Sequence, residues 1–277
     1  MADGARFSGF DPDANVRPGL FGAFLLQMRV IGALMLREAM ARYGRENLGF
    51  FWLVFEPLIL SSGVMVIWTL SGGHGHGGSA GLAPMALSGY ATLTFLRHVV
   101  GRSVHRFRYS APLLFHRKIK LIDCLLATVI LESISVFSSF LVAYFALWLF
   151  DLVGPIREPL VLLAAWALWT WYLLAFGLVL ACLTELVEWM EHFVQPVMYF
   201  LLPISGTFFI LDWIPLEYRV YLYWYPQVQV NEMFRSSFFP VEITFYWNVW
   251  YLVIPSVLWT ALGLYLYDFA KLAIRYE

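Results

Sequence analysis

Residues 121–150 read LIDCLLATVILESISVFSSFLVAYFALWLF. In that stretch only Asp123 and Glu132 are charged. A helix needs ~20 mostly apolar residues to cross the ~30 Å hydrocarbon core of a bilayer, and strands of globular domains rarely exceed ~10 residues. The stretch therefore reads as a membrane span. A helix also satisfies its own backbone groups, as lipid demands. Working outward, Leu160–Leu183 repeats the pattern, and so do Leu48–Leu70, Leu82–Val100, Phe193–Leu211 and Phe245–Tyr267. The second of the six spans is interrupted near its end by Arg97 and His98. The expected fold class is an all-α membrane protein with six transmembrane helices.

Composition agrees. Of 277 residues, 61% are hydrophobic and 13% charged, against about 25% charged in ordinary soluble domains. That excludes a soluble globule, a disordered chain and a coiled coil. A net charge of −1 gives no basic excess with which to bind nucleic acid. Cys124 and Cys182 both lie in apolar stretches, where cysteine behaves as a small buried hydrophobe.

Lysine and arginine near span ends set orientation. Arg6, Arg17, Arg29, Arg37, Arg42 and Arg45 precede span one. Arg97, Arg102, Arg106, Arg108, Arg117, Lys118 and Lys120 surround the loop after span two, and Lys271 and Arg275 follow span six. Only Arg157, Arg219 and Arg235 fall on the other side. Both termini are expected in the cytoplasm. Residues 1–18 form a polar N-terminal tail without the features of a cleaved signal peptide, and residues 19–277 a single permease domain. Phe21, Phe24, Leu25, Met28 and Ile31 recur at helical spacing with arginines among them, which predicts an interfacial amphipathic helix leading into span one.

The loops differ in character. Ser71–Gly81 reads SGGHGHGGSAG, a flexible outer loop in which His74 and His76 lack the third ligand a metal site needs. Asp212–Thr244 contains Trp213, Tyr218, Tyr221, Tyr223, Trp224, Tyr225 and Phe234, broken by Pro215, Pro226 and Pro240. It is too apolar for an ordinary loop and too broken for a span, so it reads as a pair of short re-entrant or interfacial helices.

No catalytic signature is present. The lysines are Lys118, Lys120 and Lys271, and none follows a glycine, so there is no phosphate-cradling loop of the Walker A type. HExxH is also absent, and the GxSxG and GxGxxG spacings occur only inside the glycine-rich run Ser71–Gly81, where repeated glycine produces them without a nucleophile or dinucleotide context. Glu56 and Glu132 are intramembrane polar residues, functional suspects because charge in hydrocarbon is costly, although either could be paired with a neighbouring helix. The basic loop after span two holds an apolar patch, Leu113, Leu114 and Phe115, followed by Arg117. Such a patch suits a groove on a cytoplasmic partner.

Three stretches carry a resemblance. Arg42–Trp52 reads RYGRENLGFFW and is followed by Glu56-Pro57; Ile204–Phe209 reads ISGTFF; Tyr225-Pro226 leads to Asn231–Phe239, NEMFRSSFF. Their order and the six-span layout resemble the membrane subunits of bacterial capsular-polysaccharide ABC exporters, the KpsM-like permeases, over residues 20–277. The family commonly has Asn-Pro where this chain has Tyr225-Pro226, and often a histidine where it has Gln227 or Gln229.

The resemblance implies an exporter permease working as a homodimer over a pair of cytoplasmic ATPase subunits, which would hold the ATP and magnesium. This chain would have no cofactor and perform no covalent chemistry. The cargo would be a lipid-linked glycan moved from cytoplasm to periplasm and handed to a periplasmic polysaccharide co-export protein. Phe51, Trp52, Tyr221, Trp224 and Tyr225 are the candidate pathway residues, because aromatic faces stack on the C–H faces of sugars. Arg42 and Arg45 are placed to meet a lipid phosphate or acidic linker. Leu113, Leu114, Phe115 and Arg117 would contact the ATPase. Alternatives are an O-antigen or teichoic-acid exporter permease, an ion-coupled secondary transporter using Glu56 or Glu132, and a membrane enzyme acting on lipid-linked sugars.

Overall fold

A computed structural model describes residues 20–43, 59, 63, 81–110, 120–187, 189–240 and 242–276. Among these the chain is helical: α1 Leu20–Tyr43, α2 Leu82–Ser103, α3 Arg106–Ser110, α4 Leu121–Leu149, α5 Pro159–Leu186, α6 Met190–Leu201, α7 Leu216–Leu222, α8 Pro226–Ser236 and α9 Trp250–Tyr276. Short 3-10 turns occupy Leu202–Ile204 and Leu211–Trp213. Among the described residues three helices are long and apolar enough to cross a membrane, namely α4, α5 and Trp250–Ala273 of α9. Most of predicted span one, with Phe51, Trp52 and Glu56, lies outside the described residues, as do Arg45, His74, His76, Leu113, Leu114, Phe115 and Arg117.

Helix starts follow local chemistry. At the head of α4 the Asp123 carboxylate accepts the Lys120 backbone N–H at 3.0 Å, which satisfies a donor the helix cannot. Pro159 opens α5 and Pro226 opens α8, at the one helical position that needs no N–H. Within the helices Ser103 and Ser256 donate to the carbonyl four residues back, at 2.7 and 2.6 Å. Hydroxyls can thus be buried without an outside partner.

Two predicted spans have different bounds in the structure. Span five was expected to run to Leu211, but α6 stops at Leu201. Pro203 has no N–H to give, and Gly206 takes φ +73°, a conformation that favours glycine. Span six was expected from Phe245, but α9 begins at Trp250. The backbone N–H groups of Tyr246 and Asn248 go instead to the side chains of Glu232 and Gln229, at 3.1 and 2.9 Å. The aromatic segment does hold two short helices, α7 and α8.

The bundle closes around aromatic side chains. α5 packs along α9, and α2 and α4 pack together and against α5. Trp169 is fully buried; its indole donates to the Thr92 carbonyl at 3.2 Å and stacks on Tyr172 at 5.1 Å. Trp166 stacks on Phe95 at 5.1 Å and donates to Ser133 at 2.9 Å. At Gly263 of α9 a Cβ would come within 2.9 Å of Leu178 on α5, so the two helices approach closely at a small residue, as membrane bundles favour. One face of α1 buries Ile31 and Leu34 against Cys124 and Ala127 of α4, while Phe21, Phe24 and Met28 stay exposed. Apolar side chains thus lie on both the packed and the exposed face of α1.

Candidate functional site

α8 is short, polar and almost wholly buried. Gln227, Gln229, Asn231, Glu232 and Arg235 each expose 1% or less. Such groups persist in a core only when their hydrogen bonds are met, and the irregular chain around α8 supplies the partners. Arg235 donates from Nη1 to the Gly206 and Phe209 carbonyls at 2.8 and 2.7 Å, from Nη2 to the Thr207 carbonyl at 2.8 Å, and from Nε to Ser88 Oγ at 3.0 Å. Asn231 donates to the Ser205 carbonyl at 2.9 Å and accepts from Thr92 at 2.6 Å. Glu232 accepts the N–H groups of Leu211 and Tyr246 at 2.9 and 3.1 Å. Gln229 bridges the Tyr223 carbonyl, at 2.6 Å, and the Asn248 N–H.

These bonds pin residues 205–211 and 246–248 to α8, and α8 to α2. Space is tight there, since a Cβ on Gly89 would lie 2.5 Å from the Thr207 carbonyl oxygen. From sequence Arg235 is a basic residue counted for the outer side and a member of the Asn231–Phe239 stretch, with no structural role assigned to it. The signal was available, because Gln, Gln, Asn, Glu and Arg crowd eleven residues of an otherwise apolar segment, more than a membrane tolerates without a polar counterpart.

A second polar network lies at the other end of α2. Glu132 accepts from His98 Nδ1 and from Arg102 Nε, both at 2.9 Å. Glu38 of α1 accepts from Arg106 at 2.5 Å and from Thr128 at 2.8 Å. Arg106 also reaches the Cys124 carbonyl at 3.2 Å. Asp123 takes the Gln27 amide, Arg108 stands 3.9 Å from Glu185, and His105 pairs with Glu191. The His105 imidazole holds the Glu191 carboxyl below its usual range. Arg102, Arg106 and Arg108 thus tie α2 and α3 to α1, α4 and α5, and His105 between them reaches α6. Glu132 is paired with a neighbouring helix, one of the two readings open from sequence.

Among the candidate pathway residues, Tyr221 and Trp224 are 77% and 66% exposed and Tyr225 is half-buried. Trp224 meets the Tyr251 ring edge-on at 4.9 Å, so the turn after α7 touches the start of α9. Trp213 and Tyr218 are exposed as well. Arg42 is in the last turn of α1. Among the described residues no group of three His, Cys, Asp or Glu side chains is arranged to hold a metal.

No family model matches the chain. Individual relatives do. The chain is 30% identical over 239 residues to the capsule polysaccharide export inner-membrane protein CtrC of Neisseria meningitidis serogroup B, covering 86% of this chain and 90% of that one. It is 27% identical over 239 residues to the capsule polysaccharide export inner-membrane protein BexB of Haemophilus influenzae, with the same shares covered. It is 26% identical over 246 residues to the polysialic acid transport protein KpsM of Escherichia coli, covering 88% and 94%. With similarity at that level along nearly the whole of each relative, this chain belongs to the family of capsule polysaccharide export inner-membrane proteins.

Proposed function

We propose that this chain is the transmembrane subunit of an ATP-driven exporter that moves lipid-linked capsular polysaccharide from the cytoplasm to the periplasm. The observation that carries the reading is the match along 86% of the chain to inner-membrane proteins of capsule polysaccharide export. The absence of a Walker A sequence agrees with ATP hydrolysis by a separate pair of ATPase subunits. In this reading six helices span the inner membrane with both termini in the cytoplasm, two copies form the pathway, and α7 and α8 are the re-entrant pair at its outer mouth. Tyr221, Trp224 and Tyr225, with Phe51 and Trp52, offer stacking faces along which a polymer slides on many weak contacts. Arg42 and Arg45 meet the lipid linker. The Glu38–Arg106–Thr128 contact joins α1, α3 and α4, so a push on the cytoplasmic side moves these helices together. A periplasmic co-export protein receives the chain.

Gentle purification of the tagged protein from its native cell tests this. A Walker-A-containing subunit in a two-plus-two complex is the expected companion, and deletion of the gene should leave polymer inside the cell and none on its surface. A protein that purifies alone, with surface polymer unchanged after deletion, refutes the reading. Replacing Leu113, Leu114 and Phe115 together with serine should release the ATPase, at least tenfold in recovered subunit, while the chain still inserts. An intact complex would place the contact elsewhere.

A further inference from the structure

Gln227 is the exception among the buried polar residues of α8. It is 1% exposed, yet neither its amide nitrogen nor its amide oxygen has a hydrogen-bond partner. A buried amide left so is expensive, about 1–3 kcal/mol, and folds retain such groups where something else completes them. Gln227 forms the floor of a small cleft between α2, α6 and α8, lined also by Arg97, Gln195, Tyr199, Leu93 and Met198. Its free volume, about 10 Å³, admits roughly one water-sized group.

Polar side chains stand at the mouth of the cleft, and apolar Leu96, Leu201 and Leu202 also line it. Arg97, Gln195 and Tyr199 are exposed, and the Arg97 guanidinium sits over the Tyr199 ring at 5.8 Å. Arg97 makes no ion pair among the described residues, in contrast to His98 and Arg102 beside it. No carboxylate lines the cleft. The first turn of α8 also opens here, adding the positive end of a helix dipole. Arg97 is the sixteenth residue of α2, about 22 Å along the helix axis from its start. A guanidinium and two glutamines at that depth are costly against lipid, so this face suits a wet pathway.

We propose that the cleft is a binding site for the acidic edge of a sugar acid, a carboxylate with a hydroxyl beside it. The carboxylate stays at the mouth and accepts from Arg97, while the hydroxyl alone enters, accepting from Gln227 Nε2 and donating to Gln227 Oε1. Both unpaired atoms of the buried amide are then satisfied, which a lone anion would not achieve. Only one group enters, so the rest of the polymer stays in the pathway and the contact is released as the chain advances. The assignment rests on the export reading above for its polymeric, sugar-based cargo.

The test uses the full chain in phosphatidylcholine nanodiscs, titrated calorimetrically with tetragalacturonate, maltotetraose and dodecyl phosphate in separate runs. Tetragalacturonate should bind at least tenfold more tightly than maltotetraose. Arg97→Gln should weaken it at least tenfold. Gln227→Leu should weaken it at least threefold while raising the melting temperature, because it removes an unsatisfied buried amide without changing bulk. Arg219→Gln, outside the cleft, should bind like the native chain. Tetragalacturonate binding that is absent, or unchanged in both cleft variants, overturns the proposal. A Gln227→Leu chain that is more stable and binds normally means that only water fills the cleft. Dodecyl phosphate as the sole ligand overturns the sugar-acid assignment in favour of a lipid phosphate. Loss of capsule on gene deletion, with normal export by Arg97→Gln, removes the cleft and leaves the export function standing. Normal capsule after deletion removes both.

Discussion

Arg235→Ala is expected to unfold the segment around α8 and to abolish export. The native guanidinium is fully buried and donates to three backbone carbonyls and Ser88. Truncation leaves the Gly206, Thr207 and Phe209 carbonyls without that donor in a place water does not reach, and it leaves Glu232 without the nearest positive charge. Removing one member of a buried charged network costs ~3–5 kcal/mol. Arg235→Lys should recover little, because one ammonium cannot reproduce the planar fork that reaches Gly206, Thr207 and Phe209 at once. Limited proteolysis would read the effect directly, with new cleavage between residues 203 and 215 in the variant. Gly89→Ala, which drives a Cβ into the Thr207 carbonyl, should loosen the same segment by ~1–3 kcal/mol without removing any charge. If Arg235→Ala resists protease as well as the native protein and exports normally, the lock is not what holds this region.

The second large effect is at Glu132. Its carboxylate is 1% exposed and is engaged by His98 on one oxygen and Arg102 on the other. Glu132→Ala should cost ~3–5 kcal/mol by the same reasoning. The loss is tempered because Arg102 and His98 remain 30% and 20% exposed and can recover water. Glu132→Gln keeps the shape and one acceptor, so an intermediate loss is expected. The informative quantity is transport per folded complex. If Glu132 is a structural tie, export should fall only as the amount of folded protein falls, and the surviving Glu132→Gln protein should transport at the native rate. A Glu132→Gln protein that folds fully and transports nothing would instead give the carboxylate a part in transport, as an ion-coupled carrier requires.

The two networks sit at opposite ends of α2, and this shapes what the helix can do. Ser88, Gly89 and Thr92 meet the segment around α8, and His98, Arg102 and the following Arg106 meet carboxylates of α4 and α1. α2 and the start of α3 thereby contact both α1 and α4 at one end and the segment around α8 at the other.

The sequence by itself determined that the chain is a helical membrane protein, and where most of its helices lie. Runs such as 121–150 and 160–183 leave no other solution, because lipid forbids unpaired backbone and length alone distinguishes a span from a core helix. It also pointed to the family, through the ordered stretches around Arg42–Trp52, Ile204–Phe209 and Asn231–Phe239. The pair of short helices in 212–244 was legible because Pro215 and Pro226 act locally, at the helix starts themselves.

What the tertiary structure alone decided is where polar groups find partners. The ends of α6 and α9 moved by ten and five residues from their expected places because carbonyls and N–H groups near them bond to Arg235, Glu232 and Gln229, side chains distant in sequence. Hydropathy registers Arg235 as a charge on the outer side and Glu132 as a charge inside a span. It carries no information about the three carbonyls facing the one or the imidazole and guanidinium facing the other. Likewise Gln227, Gln195 and Arg97 come from three separate helices, and only folding brings them to one cleft. Apolar burial is a property of a residue and its near neighbours along the chain, whereas polar satisfaction belongs to pairs, and the pairs form only when the bundle closes.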